Sequence, residues 1–114
     1  MTTVDTTVLD EMTRRLVAEF QPEQIILFGS HARGDAGKYS DVDLLVLMPF
    51  EGKSYRKATE IRRRVRPDFP VHLVVRTPEV VEERIALGDF FLQEAVEEGK
   101  ILHESRQPRV GRQS

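Results

Sequence analysis

The sequence predicts an α/β domain with a small mixed β-sheet of at least three strands and with helices mainly on one face. Two observations support this class. Apolar runs that contain β-branched residues, at 25–28, 42–47 and 71–75, have the length of buried strands. The segments around them repeat apolar residues at helical spacing, so each segment can bury one stripe against the sheet.

The first helices follow from this spacing and from proline. Residues 7–20 carry apolar side chains every three or four positions, and Pro22 ends the segment. Ser30 is a good N-cap residue, so a short helix can begin there, after the first strand. A longer helix is predicted over residues 54–66, and Pro67 ends it because proline cannot continue a helix.

The C-terminal part predicts two more helices. Thr77 caps one that extends to about residue 87, and Asp89 caps another that extends to about residue 98. Residues 100–103 form a short last strand. We therefore expect one domain over residues 1–103 and a flexible tail over residues 104–114, where Pro, Gly, Ser and three Arg concentrate.

The loop between the first two strands carries the candidate functional residues. Gly29 and Ser30 form a corner where a helix start directs N–H groups at any anion in front of it. Asp41 and Asp43 begin the second strand two residues apart, so their side chains point the same way. Mg²⁺ is commonly held by one or two carboxylates together with substrate phosphates. The loop therefore predicts a site for a metal–nucleotide complex.

These residues and their spacing carry a family resemblance. Ten residues separate Ser30 from Asp41. The loop resembles the signature of the polymerase-β-like nucleotidyltransferases at the following positions: Gly29, Ser30, Ala32, Arg33, Gly34, Ser40, Asp41 and Asp43. Within that superfamily, the chain is similar to the minimal nucleotidyltransferases, which are often partnered by a HEPN-domain protein in toxin–antitoxin pairs.

The resemblance implies a function and a set of roles. It implies transfer of AMP from ATP, or of a nucleotidyl group from another nucleoside triphosphate (NTP), by a two-metal mechanism with Mg²⁺ or Mn²⁺. Asp41 and Asp43 would be catalytic metal ligands, and Gly29 and Ser30 would hold the phosphates. Arg33 would either contact phosphate or brace the aspartates. The implied acceptor is a hydroxyl of a HEPN-domain partner, because a chain this short has no second domain to bind another acceptor.

The sequence departs from the family pattern at the third acidic position. Active members have an Asp on the strand after the basic helix, whereas this chain has His72. Imidazole accepts protons near pH 7, but it suits Mn²⁺ or Zn²⁺ better than Mg²⁺. Three outcomes stay open: His72 is a catalytic base, the protein binds nucleotide with slow chemistry, or it is an inactive antitoxin or scaffold that acts by complex formation.

The amino-acid composition gives less specific information about partners and location than the loop gives about the site. The 114 residues include 17 basic and 19 acidic side chains, and the net charge of −2 does not favour general binding to nucleic acid. There is no Cys and no long apolar segment. We therefore expect a soluble, cytoplasmic protein without disulfides or a membrane partner.

Two surface features have alternative interpretations. The predicted helix over 54–66 is basic on one face, which is either a solvated surface or a surface for triphosphate, an acidic partner or RNA. Phe90, Phe91 and Leu92 cannot all face one core. Either their helix is wedged between the sheet and the tail, or the patch docks a partner or a second copy of the chain.

Overall fold

The structure is a computed structural model that describes residues 6–37 and 41–105. Within these residues the elements follow in chain order: α1 (Thr6–Phe20), β1 (Gln24–Phe28), α2 (Ser30–Arg33), β2 (Val42–Leu47), α3 (Ser54–Val65), β3 (Val71–Arg76), α4 (Pro78–Ala86), α5 (Phe90–Glu98) and β4 (Lys100–Glu104). The predicted α/β class is confirmed. Ser40 and residues 106–114 of the expected tail lie outside the described residues.

The four strands form one mixed sheet, as predicted. Their order is β3-β2-β1-β4, so β3 and β4 lie at the two edges. Strand β1 is antiparallel to both β2 and β4, whereas β2 and β3 are parallel. A parallel pair needs a long crossover connection, and α3 provides it.

The helices cover both faces of the sheet, which corrects the expectation that they lie mainly on one. Helices α1 and α3 contribute to one core: Met12, Leu16, Ile25, Leu27, Val42, Leu44, Val46, Met48, Ile61, Val65, Val71, Leu73 and Val75. Helices α4 and α5 contribute to the other: Ile26, Phe28, Leu45, Leu47, Val74, Val81, Leu92 and Ala95. The physical reason is that successive strand residues point to opposite faces, and β2 is apolar at both parities from Leu44 to Leu47, so both faces must be buried.

We call the surface under α1 and α3 the first face and the surface under α4 and α5 the second face. The predicted caps of the second-face helices are present. The Thr77 hydroxyl accepts a hydrogen bond from the N–H of Val80, and the Asp89 carboxylate accepts one from the N–H of Leu92. Among the described helices, none has both the length and the apolar character that a membrane span requires.

Candidate active site

The corner between β1 and α2 depends on Gly29. Its backbone has φ 76° and ψ −154°, a conformation that residues with a Cβ rarely adopt. A Cβ at this position would also overlap the Oδ2 atom of Asp43. The absence of a side chain therefore lets the carboxylate of β2 lie directly against the backbone of the corner.

The capping register of this corner differs from the prediction. Gly29, not Ser30, occupies the N-cap position of α2, and glycine has no side chain with which to cap the helix. The Gly29 carbonyl accepts hydrogen bonds from the N–H groups of Ala32 and Arg33, each at 3.1 Å. The positive φ and the close carboxylate require glycine at the cap, so Ser30 becomes the first helical residue.

Strand register brings Asp43 and His72 together. Asp43 is directly opposite Phe28 of β1 and His72 of β3. The Asp43 Oδ1 and His72 Nδ1 atoms lie 3.2 Å apart, and the side chains are 24% and 57% exposed. An ionised carboxylate only accepts hydrogen bonds, so Nδ1 is the donor in this pair and Nε2 is the ring nitrogen that can contact a substrate.

A cleft of about 650 Å³ opens at this pair, which is within the usual size range of small-molecule sites. Four of the residues predicted from the sequence line it: Gly29, Arg33, Asp43 and His72. Asp41 precedes β2 and is exposed, and neither Asp41 nor Ser30 belongs to the cleft wall. The structure thus brings some of the predicted site residues together in the cleft, but leaves Asp41 and Ser30 outside its wall.

Helix α5 supplies a wall that the sequence analysis missed. Its contribution consists of Phe91, Glu94, Ala95 and Glu98, followed by Gly99. The first four recur at spacings of three and four residues, and this periodicity was the available signal. A Cβ at Gly99 would overlap the Ala95 carbonyl and the Ile26 side chain, so glycine lets α5 end close to β1.

Arg33 makes a local ion pair and does not brace the aspartates. Its Nε atom lies 3.2 Å from Asp35 Oδ2, and both side chains are largely exposed. Exposed pairs of this kind are weak, so the guanidinium can leave Asp35 for a stronger anion. The predicted phosphate contact thus fits its position in the cleft wall.

The donor atoms of the cleft fit a divalent metal that arrives with phosphates. Among the described lining residues, Asp43, Glu94 and Glu98 are acidic and Arg33 is the one guanidinium, so a triphosphate without cations would be repelled. The described residues contain no cluster of three or more His, Asp or Glu side chains arranged to hold a metal. Asp43 can still supply one of the one or two carboxylates that Mg²⁺ uses with substrate phosphates.

Comparison with known protein families identifies the family to which the chain belongs. A family model described as "Nucleotidyltransferase domain" matches residues 9–103. The chain belongs to this nucleotidyltransferase family. The family resemblance predicted from the loop between β1 and β2 is therefore confirmed.

One curated relative and several solved structures are similar to this nucleotidyltransferase domain. The "Putative protein adenylyltransferase MJ1305" of Methanocaldococcus jannaschii is 38% identical over 84 residues, which cover 68% of this chain and 54% of the relative. The chain thus spans about half the length of that protein.

The structural neighbours share the fold. A "toxin-antitoxin with AMP-PNP" has a TM-score of 0.54 and 23% identity, covering 86% of this chain and 75% of the other. A nucleotidyltransferase named as putative, from Sulfolobus solfataricus, has a TM-score of 0.51 and 23% identity, covering 68% and 70%. A mutant of the toxin–antitoxin MntA–HpeT has a TM-score of 0.52 and 21% identity, covering 86% and 75%.

Proposed function

We propose that this protein transfers AMP from ATP to a hydroxyl group of a partner protein. The observation that carries the proposal is the position of the Asp43 carboxylate, between the bare backbone of Gly29 and the imidazole of His72, at the mouth of a ligand-sized cleft. Membership of the nucleotidyltransferase family supports the reaction class. The similarity to a protein named as an adenylyltransferase supports AMP as the transferred group.

The nucleotide would bind with its phosphates toward the corner of Gly29. Glycine allows phosphate oxygens to approach the backbone there, next to Ser30 at the start of α2. Arg33 would exchange Asp35 for a phosphate oxygen. A structural neighbour described with AMP-PNP supports a nucleoside triphosphate as substrate.

Asp41 and Asp43 would hold Mg²⁺ or Mn²⁺ in a two-metal arrangement. When bound, the metal ions neutralise charge that develops on the phosphate oxygens. Asp43 Oδ2 lies against Gly29, whereas Oδ1 accepts the hydrogen bond from His72, so one carboxylate can bind metal and orient the imidazole together. One neighbour is a variant with glutamate in place of two aspartates spaced like this pair.

His72 would act as the general base. Its Nε2 atom accepts the proton of the acceptor hydroxyl while the hydroxyl oxygen forms a bond to the α-phosphorus. The bond from the α-phosphorus to the bridging oxygen breaks, and pyrophosphate leaves with that electron pair. Asp43 keeps Nδ1 protonated and stabilises the imidazolium that forms, as a carboxylate does for a catalytic histidine in other enzymes.

The partner would be a HEPN-domain toxin in the cytoplasm, with this chain as the antitoxin. Two structural neighbours described as toxin–antitoxin support a toxin as the partner, and the HEPN-domain class is what the family resemblance implies. The second candidate function is an antitoxin that acts by complex formation with weak or no catalysis. The presence of His72 at the position of the family's third acid favours this alternative, since imidazole is a poor ligand for Mg²⁺.

Label transfer separates the two functions. The protein is incubated with ATP labelled at the α-phosphate, Mg²⁺ or Mn²⁺, and a HEPN-domain protein, and label is followed on the partner. We expect transfer that falls about 100-fold in His72→Ala and partly returns with added imidazole. If the partner stays unlabelled but is still neutralised by the wild type and by His72→Ala, the result would instead support an antitoxin that acts by complex formation.

A further inference from the structure

Strand β3 is an edge strand with an open groove beside it. It pairs only with β2 within the described chain, and α3 packs against it. The groove has a volume of about 350 Å³. Its lining comes from α3 and from consecutive residues of β3: Ser54, Tyr55, Ala58, Thr59, Arg62, His72, Leu73, Val74, Val75 and Arg76.

The backbone of β3 presents hydrogen-bonding groups to this groove. The carbonyls of Pro70 and Arg76 accept hydrogen bonds from the N–H groups of Val42 and Met48 on the β2 side. Backbone groups alternate in direction along a strand, so the odd-numbered residues of β3 direct theirs to the open edge. Leu73, at the centre, therefore presents both its N–H and its carbonyl to the groove.

Two arginines occupy the other outward carbonyls. Arg62 Nη1 donates to the Val71 carbonyl at 2.8 Å, and Arg76 Nη1 donates to the Val75 carbonyl at 2.9 Å. Neither guanidinium lies within ion-pair distance of a carboxylate in the described part of the chain. The described lining residues include no acid, so the groove is basic and complements an acidic ligand.

We propose that this groove binds an extended acidic segment of the acceptor protein, which pairs with β3 as an additional strand. The inference rests on the proposed function. Main-chain groups of the segment would replace the two guanidiniums at the Val71 and Val75 carbonyls, and the released guanidiniums would pair with its carboxylates.

The groove also directs the segment toward the reaction site. It ends at His72, whose ring contacts Asp43 in the nucleotide cleft. His72 and Arg76 are four residues apart, which is about 13 Å along a strand, and their side chains share one face. If the acceptor hydroxyl of the segment lies at His72, an acidic residue four positions further along the segment therefore lies near Arg76.

Amide hydrogen exchange with a synthetic peptide tests the pairing directly. The probe is acetyl-Val-Tyr-Val-Asp-Val-Asp-Val-amide, in which the tyrosine and the second aspartate are four residues apart. We expect exchange of the Leu73 N–H to slow at least about tenfold on binding, while the Val74 N–H, already directed at β2, changes little. An unchanged Leu73 N–H at millimolar peptide overturns the proposal.

Altered peptides and matched variants separate strand pairing from charge attraction. A peptide N-methylated at alternate residues keeps its charge but cannot pair, and a peptide with lysines for aspartates loses the charge match. We expect both altered peptides to bind at least about tenfold more weakly than the original peptide. We also expect Arg62→Gln and Arg76→Gln to weaken binding of the original peptide, whereas Arg63→Gln, at an exposed residue of α3, should leave it unchanged. Equal binding of the N-methylated peptide would contradict pairing and leave the guanidiniums as mere protection of an exposed edge.

Label transfer in the same samples separates the two proposals. Peptide binding at Leu73 without transfer to its tyrosine would support the groove and count against the proposed function. The opposite outcome is label transfer to a partner protein that stays unchanged in Arg62→Gln, in Arg76→Gln and with excess peptide. That result would support the proposed function and overturn the proposed binding of a segment in the groove.

Discussion

The two faces of the sheet differ in how completely they are covered. On the first face, α1 and α3 pack against the strands and bury side chains such as Leu16 and Ile61 fully. On the second face, α4 and α5 bury a smaller core and leave the cleft open beside Asp43 and His72. The comparison indicates that the first face provides most of the stability and the second face provides the site.

The exposed apolar residues follow the same division. Phe90, the first residue of α5, and Leu87, the C-cap residue of α4, are 80% and 78% exposed. Phe91 is half exposed and packs edge to face on Phe28, with ring centroids 5.4 Å apart. Of the two interpretations of the Phe90 region, an exposed patch fits Phe90, whereas Phe91 and Leu92 belong to the second-face packing.

The largest effect should come from the first-face core. Leu16→Ala removes a fully buried side chain and should lower the free energy of unfolding by about 2–5 kcal/mol, because a cavity adds to the lost burial. Phe90→Ala, on the second face, should change it by less than about 0.5 kcal/mol. Urea unfolding followed by circular dichroism measures both, and similar losses would contradict the division between the faces.

The cleft should respond in the opposite way. Asp43→Asn should lower label transfer about 100- to 1000-fold, because a charged group that acts on the reacting phosphates is lost. Its free energy of unfolding should stay close to that of the wild type, since the side chain is partly exposed. Asp68→Asn, a change of the same kind at an exposed residue outside the cleft, is the control for both measurements.

Local chemistry in the sequence predicted most of the elements. The run at 42–47 and the caps at Thr77 and Asp89 appear in the structure where they were expected, because hydrophobic period and capping depend on neighbouring residues. The two-sided cover of the sheet was missed. Four consecutive apolar residues from Leu44 to Leu47 were a signal for it, since in a strand that is buried on one face apolar and polar residues alternate.

The site was predictable only where its residues are close in sequence or aligned by the resemblance. Gly29, Asp43 and His72 were identified in this way, and the strand register brings them together. Glu94 and Glu98 were missed because their place in the cleft depends on how α5 packs over β1, which is a tertiary contact. The cap register at Ser30 was wrong because the Asp43 contact, also tertiary, decides it.

A glycine pair can separate backbone strain from this tertiary contact. Gly29→Ala introduces both a strained positive φ and an overlap with Asp43, whereas Gly52→Ala introduces only strain, since its φ is 90° and the space around it is open. We expect Gly52→Ala to cost about 1–2 kcal/mol in unfolding free energy and Gly29→Ala to cost more and also to weaken transfer. Equal costs and intact transfer would mean that the close approach at the corner is unimportant.

The smallest effect should be an acid sensitivity that is confined to the second face. The N–H of Leu92, together with the Arg84 guanidinium, holds the pKa of Asp89 below its usual value of 3.8 despite some opposing desolvation. A carboxyl with a lowered pKa stabilises the folded state above its unfolded pKa, and this contribution is lost as the pH falls through the folded pKa. Helix α5, and with it the cleft wall, should therefore loosen first below about pH 4.

Two variants show whether this sensitivity belongs to the cap of α5. Asp89→Asn keeps an oxygen that can cap the helix but removes the charge. We therefore expect its thermal unfolding midpoint to be lower than that of the wild type by a few degrees at pH 6, and to fall less steeply toward pH 3. Glu60→Gln is the first-face counterpart, because Lys57 lowers the pKa of Glu60 in the same direction. Faster exchange of the Leu92 N–H in acid, lost in Asp89→Asn but kept in Glu60→Gln, would locate the weak point in the wall of the cleft. Equal effects of the two variants on that amide would mean that the faces are coupled and that the site is no less rigid than the core.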